Sequence, residues 1–503
     1  MLGAARRFAA GLEANSPFSF APAALLYGAV DKMGLRFSNT LTRALEEFVP
    51  LDPGGQKVGM YCCGPTVHDF AHIGNFRTFV FADLVRRYLE FKGYRVTHVM
   101  NITDVEDKII KRTRESGLPR ETYTARFEEE FFKDFDALHC ARPHHTPRAT
   151  EHIPEIIALI EKLLASGIAY QAADGSIYFS IEKYRGAGRQ YGQLVKLNFD
   201  ELRPGQRVSS DEYAKESIAD FALWKARVSE DGAVFWPSPW GEGRPGWHIE
   251  CSAMSMKILG PSFDIHLGGE DLIFPHHEDE IAQSEAAGLQ PPGERFVKYW
   301  LHGAHLMVEG KKMSKSLGNF FTLRDLLTKG FTGREIRYLL LTAHYRESFN
   351  FTLEGLTGAR KSLERLDECL AKLRAVAGDS TAGPDASLSD KFSAALDDDL
   401  NVSAAWGVVF NWVHDANRVL MENKLSPLQA AGALAAWQRI DLIFGIGQKT
   451  EAAAPPKVIE LLEQRQAARK GRDFKRADAI RDELKALGWV IDDTPNGPRL
   501  KRL

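Results

Sequence analysis

The chain has 503 residues, a formal net charge of −3, and 44% hydrophobic and 26% charged residues. This length predicts about three domains with a large buried core. The slightly acidic balance excludes a uniformly basic nucleic-acid coat, so any RNA contact must come from local patches. Five scattered cysteines are too few for a disulfide framework and indicate a reducing compartment, and no apolar run is long enough to span a membrane.

The first 32 residues are the least informative part of the chain. They carry Arg6 and Arg7 and little acid, which is compatible with a weak transit peptide. Met33 opens a stretch that looks like a natural start. We therefore expect residues 1–32 to be either a disordered extension or the product of an overcalled start site.

A strand, a glycine-containing turn and a helix are predicted between residues 58 and 93. The strand ends at Cys62-Cys63, the turn is His72-Ile-Gly-Asn75, and an amphipathic run from Phe76 to Lys92 is closed by Gly93. The N-terminus of such a helix is an anion site, and a glycine in the turn allows close approach of a base or phosphate. Neither GxGxxG nor GxxxxGK[ST] is present, which disfavours dinucleotide-binding and Walker-type sites.

Two further segments contain potential metal ligands. Cys251 lies in a Gly-Trp-His-Ile-Glu-Cys run, and His276 and Glu280 are four residues apart in a helix predicted to start at Pro275 and to be capped by Gly288. Residues i and i+4 share a helix face, so this pair is suited to half of a zinc site. An acidic surface helix would show the same pattern. Strand alternation predicts that only one of Cys62 and Cys63 points inward, and a buried cysteine is commonly a small core hydrophobe.

A lysine motif, Lys312-Met-Ser-Lys-Ser316, follows on a Gly- and Ser-rich segment. Two flexible cations with small residues around them are suited to phosphate chemistry. Taken alone, such a pair is also typical of an exposed basic loop. An almost wholly helical half begins at Gly333, and residues 464–485 carry eight Lys or Arg and four acids, a local charge of +4. This basic helical pair, followed by Trp489, is suited to RNA backbone contacts and base stacking.

The ordered pair of motifs resembles the two signatures of class I aminoacyl-tRNA synthetases. With the Cys, His and Glu segments added, the chain from Met33 to Leu503 resembles the cysteinyl-tRNA synthetase family. The resemblance implies an α/β fold: a Rossmann-like catalytic domain with a connective insertion, followed by all-α domains on the anticodon side. The implied boundaries are a catalytic first half at 33–119, the insertion at 120–221, a second half at 222–330, a helical stem-contact region and linker at 331–384, a helical bundle at 385–450 and a basic RNA-binding region at 456–503.

The resemblance also implies site residues. The family's Tyr-x-Cys-Gly strand motif selects Cys63, so the implied ligands of one Zn²⁺ per subunit are Cys63, Cys251, His276 and Glu280. The implied residues of the cysteine pocket are Gly64, Thr103, Trp247 and His266. ATP, arriving with Mg²⁺, would be bound by His72, Gly74, Asn75, Lys312, Ser314 and Lys315, of which His72, Asn75, Lys312 and Lys315 are the catalytic candidates.

The implied function is ligation of L-cysteine to tRNA(Cys) by a cytoplasmic monomer. Asn75 departs from the histidine that usually ends the first signature, and it can donate a hydrogen bond but carries no charge. We nevertheless expect activity, because the rest of the constellation is complete. Two alternatives are a ligase that joins cysteine to an amino sugar, as in mycothiol synthesis, and a non-catalytic RNA-binding paralogue. Residues 385–503 argue against the first, and the intact lysines argue against the second.

Overall fold

A computed structural model describes residues 34–195, 220–313, 318–447, 456–471, 473–494 and 497–502. The N-terminal extension predicted for residues 1–32 lies outside this part of the chain, as do Ser314 and Lys315. The chain divides into two units, one ending at Ile446 and one beginning at Gly447. No helix in the described ranges is long and apolar enough to cross a membrane.

The strands follow one another along the chain as β1 (Arg36–Asn39), β2 (Ala44–Glu47), β3 (Lys57–Cys62), β4 (Arg95–Met100), β5 (Ala169–Gln171), β6 (Ile177–Phe179), β7 (Phe221–Ala226), β8 (Gly243–Pro245), β9 (Phe263–Gly269), β10 (Val297–Gly303), β11 (Leu306–Val308), β12 (Lys311–Lys312), β13 (Phe349–Phe351), β14 (Trp489–Thr494) and β15 (Gly497–Arg502). The α-helices are α1 (Ile73–Phe91), α2 (Asp107–Ser116), α3 (Arg120–Ala137), α4 (Ile153–Ala165), α5 (Ile181–Gly186), α6 (Trp247–Leu259), α7 (Glu278–Ala286), α8 (Leu323–Thr328), α9 (Gly333–Leu340), α10 (Leu353–Ala377), α11 (Ala386–Asp397), α12 (Val402–Met421), α13 (Pro427–Phe444), α14 (Pro456–Lys470) and α15 (Phe474–Ala486).

A parallel four-stranded sheet of order β10-β9-β3-β4 forms the centre of the first unit. Every residue of β9 is buried, as expected where both faces of a parallel sheet are covered. The carboxyl ends of these strands meet at one edge, where ligands of open α/β sheets bind. The predicted Rossmann-like α/β class is confirmed.

Two adjacent cysteines at the end of β3 point to opposite faces of this sheet. Cys62 belongs to the core that includes α1, and Cys63 belongs to the core that includes Cys251 and Trp300. Both cysteines are buried. The prediction that only one of them points inward is therefore wrong, because both faces of the sheet are covered at the end of β3.

Local chemistry explains where two helices begin. Helix α1 starts three residues before the predicted Phe76, because His72 caps it through a hydrogen bond with the Asn75 backbone. The helix predicted from Pro275 is present: Phe274 has extended backbone angles, as is usual for a residue before proline, and a π-helical turn that ends at His277 continues directly into α7. Gly288 follows the end of α7 with φ +64°, as expected for a helix C-terminus.

From Ile153 onward, the predicted insertion at 120–221 contributes to a second hydrophobic cluster, which also contains residues of α6 and α7. Helix α3, at its predicted start, packs its phenylalanines in the core that contains α1. Strands β5 and β6 form an antiparallel hairpin around Gly175. After the lysine motif the first unit is largely helical, with α10 to α13 packed against one another.

The second unit contains a helical pair and a hairpin. Helices α14 and α15 are the predicted basic pair, and β14 and β15 add an antiparallel hairpin that the all-α expectation did not include. Trp489 is 7% exposed and packs against Val458, Leu461, Ile480 and Leu484. The expectation that Trp489 stacks on RNA bases is therefore wrong, because its ring is needed to bury the apolar faces of this small unit.

Candidate active site and metal centre

The N-terminus of α1 lies just beyond the carboxyl end of β3. The His72 Nδ1 atom accepts the Asn75 backbone N–H at 3.2 Å, and Asn75 Oδ1 accepts the His72 backbone N–H at 3.1 Å, which together form a capping box. Because Nδ1 accepts, the neutral ring carries its proton on Nε2. Asn75 thus orients His72 through its side-chain oxygen, a contact that needs no charge.

The lysine motif approaches this helix terminus from β12. Lys312 is exposed in β12, and Met313 lies so close to Gly74 that a Cβ atom on Gly74 would be 2.7 Å from the Met313 Cε atom. Thr322, just after the motif, pairs with His72 through an isolated β-bridge. The two predicted ATP motifs are therefore neighbours, although the part of the chain that the structure describes does not include Ser314 and Lys315.

Four buried side chains form a candidate metal quartet: Cys63, Cys251, His276 and Glu280. Their ligand atoms all lie within 4.8 Å of one another. The two sulfur atoms are 3.9 Å apart, Cys63 Sγ is 3.8 Å from Glu280 Oε1, and His276 Nε2 is 3.1 Å from the same oxygen. A tetrahedral zinc with Zn–S bonds of about 2.3 Å places two sulfur ligands about 3.8 Å apart, so the donor set fits the ion.

The protonation of the quartet makes metal binding depend on pH. Burial raises the pKa of the Cys63 thiol well above its usual range, whereas the hydrogen bond with Cys63 lowers the pKa of Cys251 to about 6. Burial opposes ionisation of Glu280, but His266 and His276 outweigh it and lower its pKa to about 2. Burial also opposes protonation of His276, but Glu280 and Cys251 raise its pKa to about 10. A metal must therefore displace protons from His276 and Cys63, and its binding is coupled to pH.

A second set of donors overlaps the quartet. Cys63, His266, His277 and Glu280 also have ligand atoms within 4.8 Å of one another. His277 Nε2 is 3.4 Å from Cys63 Sγ, and its Nδ1 atom is 2.8 Å from His302 Nε2. The sequence did not predict His277 as a donor, because periodicity does not distinguish between two adjacent histidines. The quartet remains the better zinc site, since it offers two sulfur ligands instead of one.

The predicted pocket residues lie around the same sheet edge. A Cβ atom on Gly64 would be 1.6 Å from the Asn101 backbone oxygen, and the Asn101 side chain donates to Thr103 Oγ1 at 3.1 Å. Trp247 is 36% exposed, and its ring stacks on His276 at 4.2 Å. Because Trp247 is partly exposed, its ring lies at the protein surface beside the quartet and is not part of the hydrophobic core.

His266, like Thr103, is a buried member of the predicted pocket. Its Nε2 atom is 2.9 Å from Glu280 Oε2, and its ring stacks on Trp300 at 4.5 Å. Such a contact orients a carboxylate ligand from behind. His248 has a similar position toward His276, with 3.0 Å between their Nδ1 atoms.

Comparisons with known proteins identify the family. Residues 48–361 match the family described as tRNA synthetases class I (C) catalytic domain, residues 391–448 a DALR domain, and residues 451–497 a cysteinyl-tRNA ligase anticodon binding domain. The cysteine–tRNA ligase of Chlamydia pneumoniae is 46% identical over 478 residues, which cover 93% of this chain and 98% of that protein. The chain belongs to the cysteine–tRNA ligase family.

Other cysteine–tRNA ligases and more distant solved structures agree with this assignment. The cysteine–tRNA ligase of Protochlamydia amoebophila (strain UWE25) is 43% identical over 483 residues, covering 94% of this chain and 99% of that one. A Mycobacterium tuberculosis methionyl-tRNA synthetase in complex with methionyl-adenylate superimposes with a TM-score of 0.57 at 14% identity, covering 78% of this chain and 92% of the other. The LeuRS of Agrobacterium radiobacter K84, in a ternary complex with tRNA and LeuAMS, also gives 0.57 at 12% identity, with coverages of 79% and 84%. These two likenesses show the shared fold.

Proposed function

We propose that this chain is a cysteine–tRNA ligase. It activates L-cysteine with ATP to cysteinyl-adenylate and diphosphate, then transfers the cysteinyl group to the 3′ end of tRNA(Cys) with release of AMP. One observation carries the proposal: a buried Cys-Cys-His-Glu quartet lies at the sheet edge from which the ATP-motif helix α1 also departs. This arrangement supports a single site in which thiol selection and phosphate chemistry would act together.

Cys63, Cys251, His276 and Glu280 would hold a Zn²⁺ ion in this site. Zinc with sulfur and nitrogen ligands prefers a thiolate to a hydroxyl and would distinguish cysteine from serine, which a purely apolar pocket separates by only about 1–3 kcal/mol. Trp247, which stacks on His276, would form the wall against which the substrate side chain lies. Gly64 and Thr103 would line the side of the pocket formed by the ends of β3 and β4.

Activation of the carboxylate depends on positioning and charge. The cysteine carboxylate attacks the α-phosphorus of ATP in line, and the bond to the β-phosphate oxygen breaks. His72 would donate from Nε2 to the phosphates at the N-terminus of α1, with Asn75 holding the ring and Gly74 allowing close approach. Lys312 and Lys315 would stabilise the charge that develops on diphosphate, with Ser314 beside them, and Mg²⁺ would arrive bound to ATP.

The second unit would bind the anticodon end of tRNA(Cys). Its match to an anticodon binding domain supports this role. Phe474 is 62% exposed at the start of α15 and is followed by Lys475 and Arg476. An exposed ring beside cations is suited to stacking on an unpaired base while phosphates are neutralised nearby.

The free cysteines support a proposal for the cellular location. All five are free and buried, as expected of a protein kept in a reducing compartment. We propose a cytoplasmic enzyme that acts as a monomer.

The function is tested by two successive assays on the purified, zinc-loaded protein. We expect cysteine-dependent ATP–pyrophosphate exchange, followed by cysteine attachment to total tRNA, with serine inactive in both. Exchange without tRNA charging would instead indicate a ligase that transfers cysteine to a small amine. Absence of both activities would refute the proposal and favour a non-catalytic RNA-binding role.

A further inference from the structure

The side chain of Asn319 ties the lysine-motif hairpin to the segment that follows it. Asn319 is only 8% exposed. Its Nδ2 atom donates to the backbone oxygen of Val308 at 3.1 Å and to that of Lys312 at 3.2 Å. Val308 ends β11 and Lys312 ends β12. One amide group therefore binds both strands of the hairpin that carries Lys312.

The residues directly after Asn319 are fastened to the beginning of α1. The Phe321 backbone oxygen accepts the Ile73 N–H at 2.9 Å, and the Phe320 ring meets the His72 ring edge-on at 5.2 Å. Thr322 pairs with His72 and caps α8 through a capping box with Asp325. Residues 319–322 thus form a brace with the hairpin at one end and the His72 turn at the other.

We infer that Asn319 is a positioning residue for adenylate formation, which sets the Lys312 backbone relative to the N-terminus of α1. The inference rests on the proposed function. Two carbonyl acceptors require a group with two N–H donors, which an asparagine amide has and an aspartate carboxylate lacks. Loss of both bonds releases the hairpin from the brace, and a displacement of about 1 Å at a reacting group is enough for a rate loss of about 10²-fold.

The effect is expected on the ATP side of the site only. The brace contacts Val308, Lys312, His72 and Ile73, and none of these belongs to the metal quartet or to the predicted cysteine pocket. The KM for cysteine and the zinc content should therefore stay unchanged while kcat of activation falls. If Asn319 had only a structural role, its replacement would lower the folded fraction, and the zinc content and the apparent kcat would fall with it.

The chain offers a matched control in the neighbouring strand. Asn350 in β13 uses its Oδ1 atom to accept the Gly310 N–H at the turn of the same hairpin, at 2.7 Å. An aspartate at position 350 keeps that acceptor, whereas an aspartate at position 319 loses both donors. The pair Asn319→Asp and Asn350→Asp makes the same chemical change at two ends of one hairpin.

The experiment is cysteine-dependent ATP–pyrophosphate exchange with zinc-loaded full-length protein. We expect Asn319→Asp to lower kcat about 10- to 100-fold with unchanged KM for cysteine, zinc content and melting temperature, and Asn350→Asp to match the wild type. Asn319→Ala, which adds no charge, should fall in the same range.

Three results would overturn the inference. The first is a wild-type kcat in Asn319→Asp, and the second is an equal loss in both aspartate variants. The third is a loss in Asn319→Asp but not in Asn319→Ala, which would assign the effect to carboxylate repulsion. An inactive wild type in the same assay would instead refute the proposed function, and this inference with it.

Discussion

Replacing each of the two adjacent cysteines in turn separates the metal role from the packing role. Cys63 Sγ lies 3.9 Å from Cys251 Sγ, whereas Cys62 is fully buried in the other core, against α1. Structural zinc sites bind with about 10–16 kcal/mol, which is about 3–4 kcal/mol per ligand in a set of four. Cys63→Ser should therefore weaken zinc binding about 10²- to 10³-fold, since 1.4 kcal/mol corresponds to a factor of ten.

Cys62→Ser should leave zinc affinity unchanged. Its cost should be in stability, about 1–3 kcal/mol for a buried hydroxyl without a good partner. The assay is zinc stoichiometry after dialysis, followed by competition with a chromophoric chelator. Zinc lost from Cys62→Ser but retained by Cys63→Ser would refute the assignment of the two cysteines to opposite faces of the sheet.

The same assay distinguishes the quartet from the overlapping donor set. His276→Ala should lose zinc as Cys63→Ser does. His277→Ala should weaken binding only about 10- to 100-fold, as for a side chain that orients a ligand. A stronger loss in His277→Ala than in His276→Ala would assign the ion to the second set.

Four further predictions concern other parts of the chain. Phe474→Ala should weaken tRNA binding by about 1–3 kcal/mol with unchanged pyrophosphate exchange, whereas Trp489→Ala should destabilise the second unit by about 3–5 kcal/mol, as measured by filter binding and thermal melting. Burial lowers the pKa of His98 to about 3, so the unfolded chain binds a proton below about pH 6.5 that the folded chain does not, and stability falls as the pH falls from about 6.5 towards 3. In urea unfolding the wild type should lose about 2 kcal/mol more than His98→Leu between about pH 7 and 5. Arg337→Ala should cost about 3–5 kcal/mol, because it breaks a buried ion pair with Asp83 at 2.5 Å.

Each of these predictions has a contradicting result. Equal tRNA affinity for Phe474→Ala and wild type would remove that ring from the RNA surface. If the stability of His98→Leu depended on pH in the same way as that of the wild type, another group would account for the loss of stability in acid. For the buried pair the control is Arg36→Ala, which breaks an exposed pair with Asp398 and should cost under about 1 kcal/mol. Equal losses of stability in Arg337→Ala and Arg36→Ala would contradict the expectation that the buried ion pair contributes more than the exposed one.

Much of the fold and of the site was predictable because short motifs carry their own chemistry. The His72 turn and the lysine motif predicted the class I fold, which the family matches confirm. The resemblance of the Cys, His and Glu segments to the cysteinyl-tRNA synthetase family implied a zinc quartet, whose ligand atoms the structure brings within 4.8 Å of one another. Helix bounds were less predictable, as at α1, which starts three residues before the predicted Phe76 because His72 caps it.

Several features were not accessible from the residues alone. Asn75 looked like a weakened catalytic group, yet its side chain holds His72 in a capping box. Trp489 looked like a stacking platform beside basic residues, yet it fills a core. In both cases the residue type was compatible with two environments, and only packing distinguished them.

By itself, the sequence determined which chemistries are present: a helix N-terminus and lysines for phosphate, sulfur and nitrogen donors for a soft metal, and a basic tail for RNA. The tertiary structure decided which donors meet. Cys63 and Glu280 are 217 positions apart, yet they lie 3.8 Å from each other because Cys63 follows β3 and α7 returns to the same face of the sheet. Sequence spacing does not predict such a contact, because the contact arises from the side-by-side pairing of β3 with β9 and from the burial of both faces of the sheet.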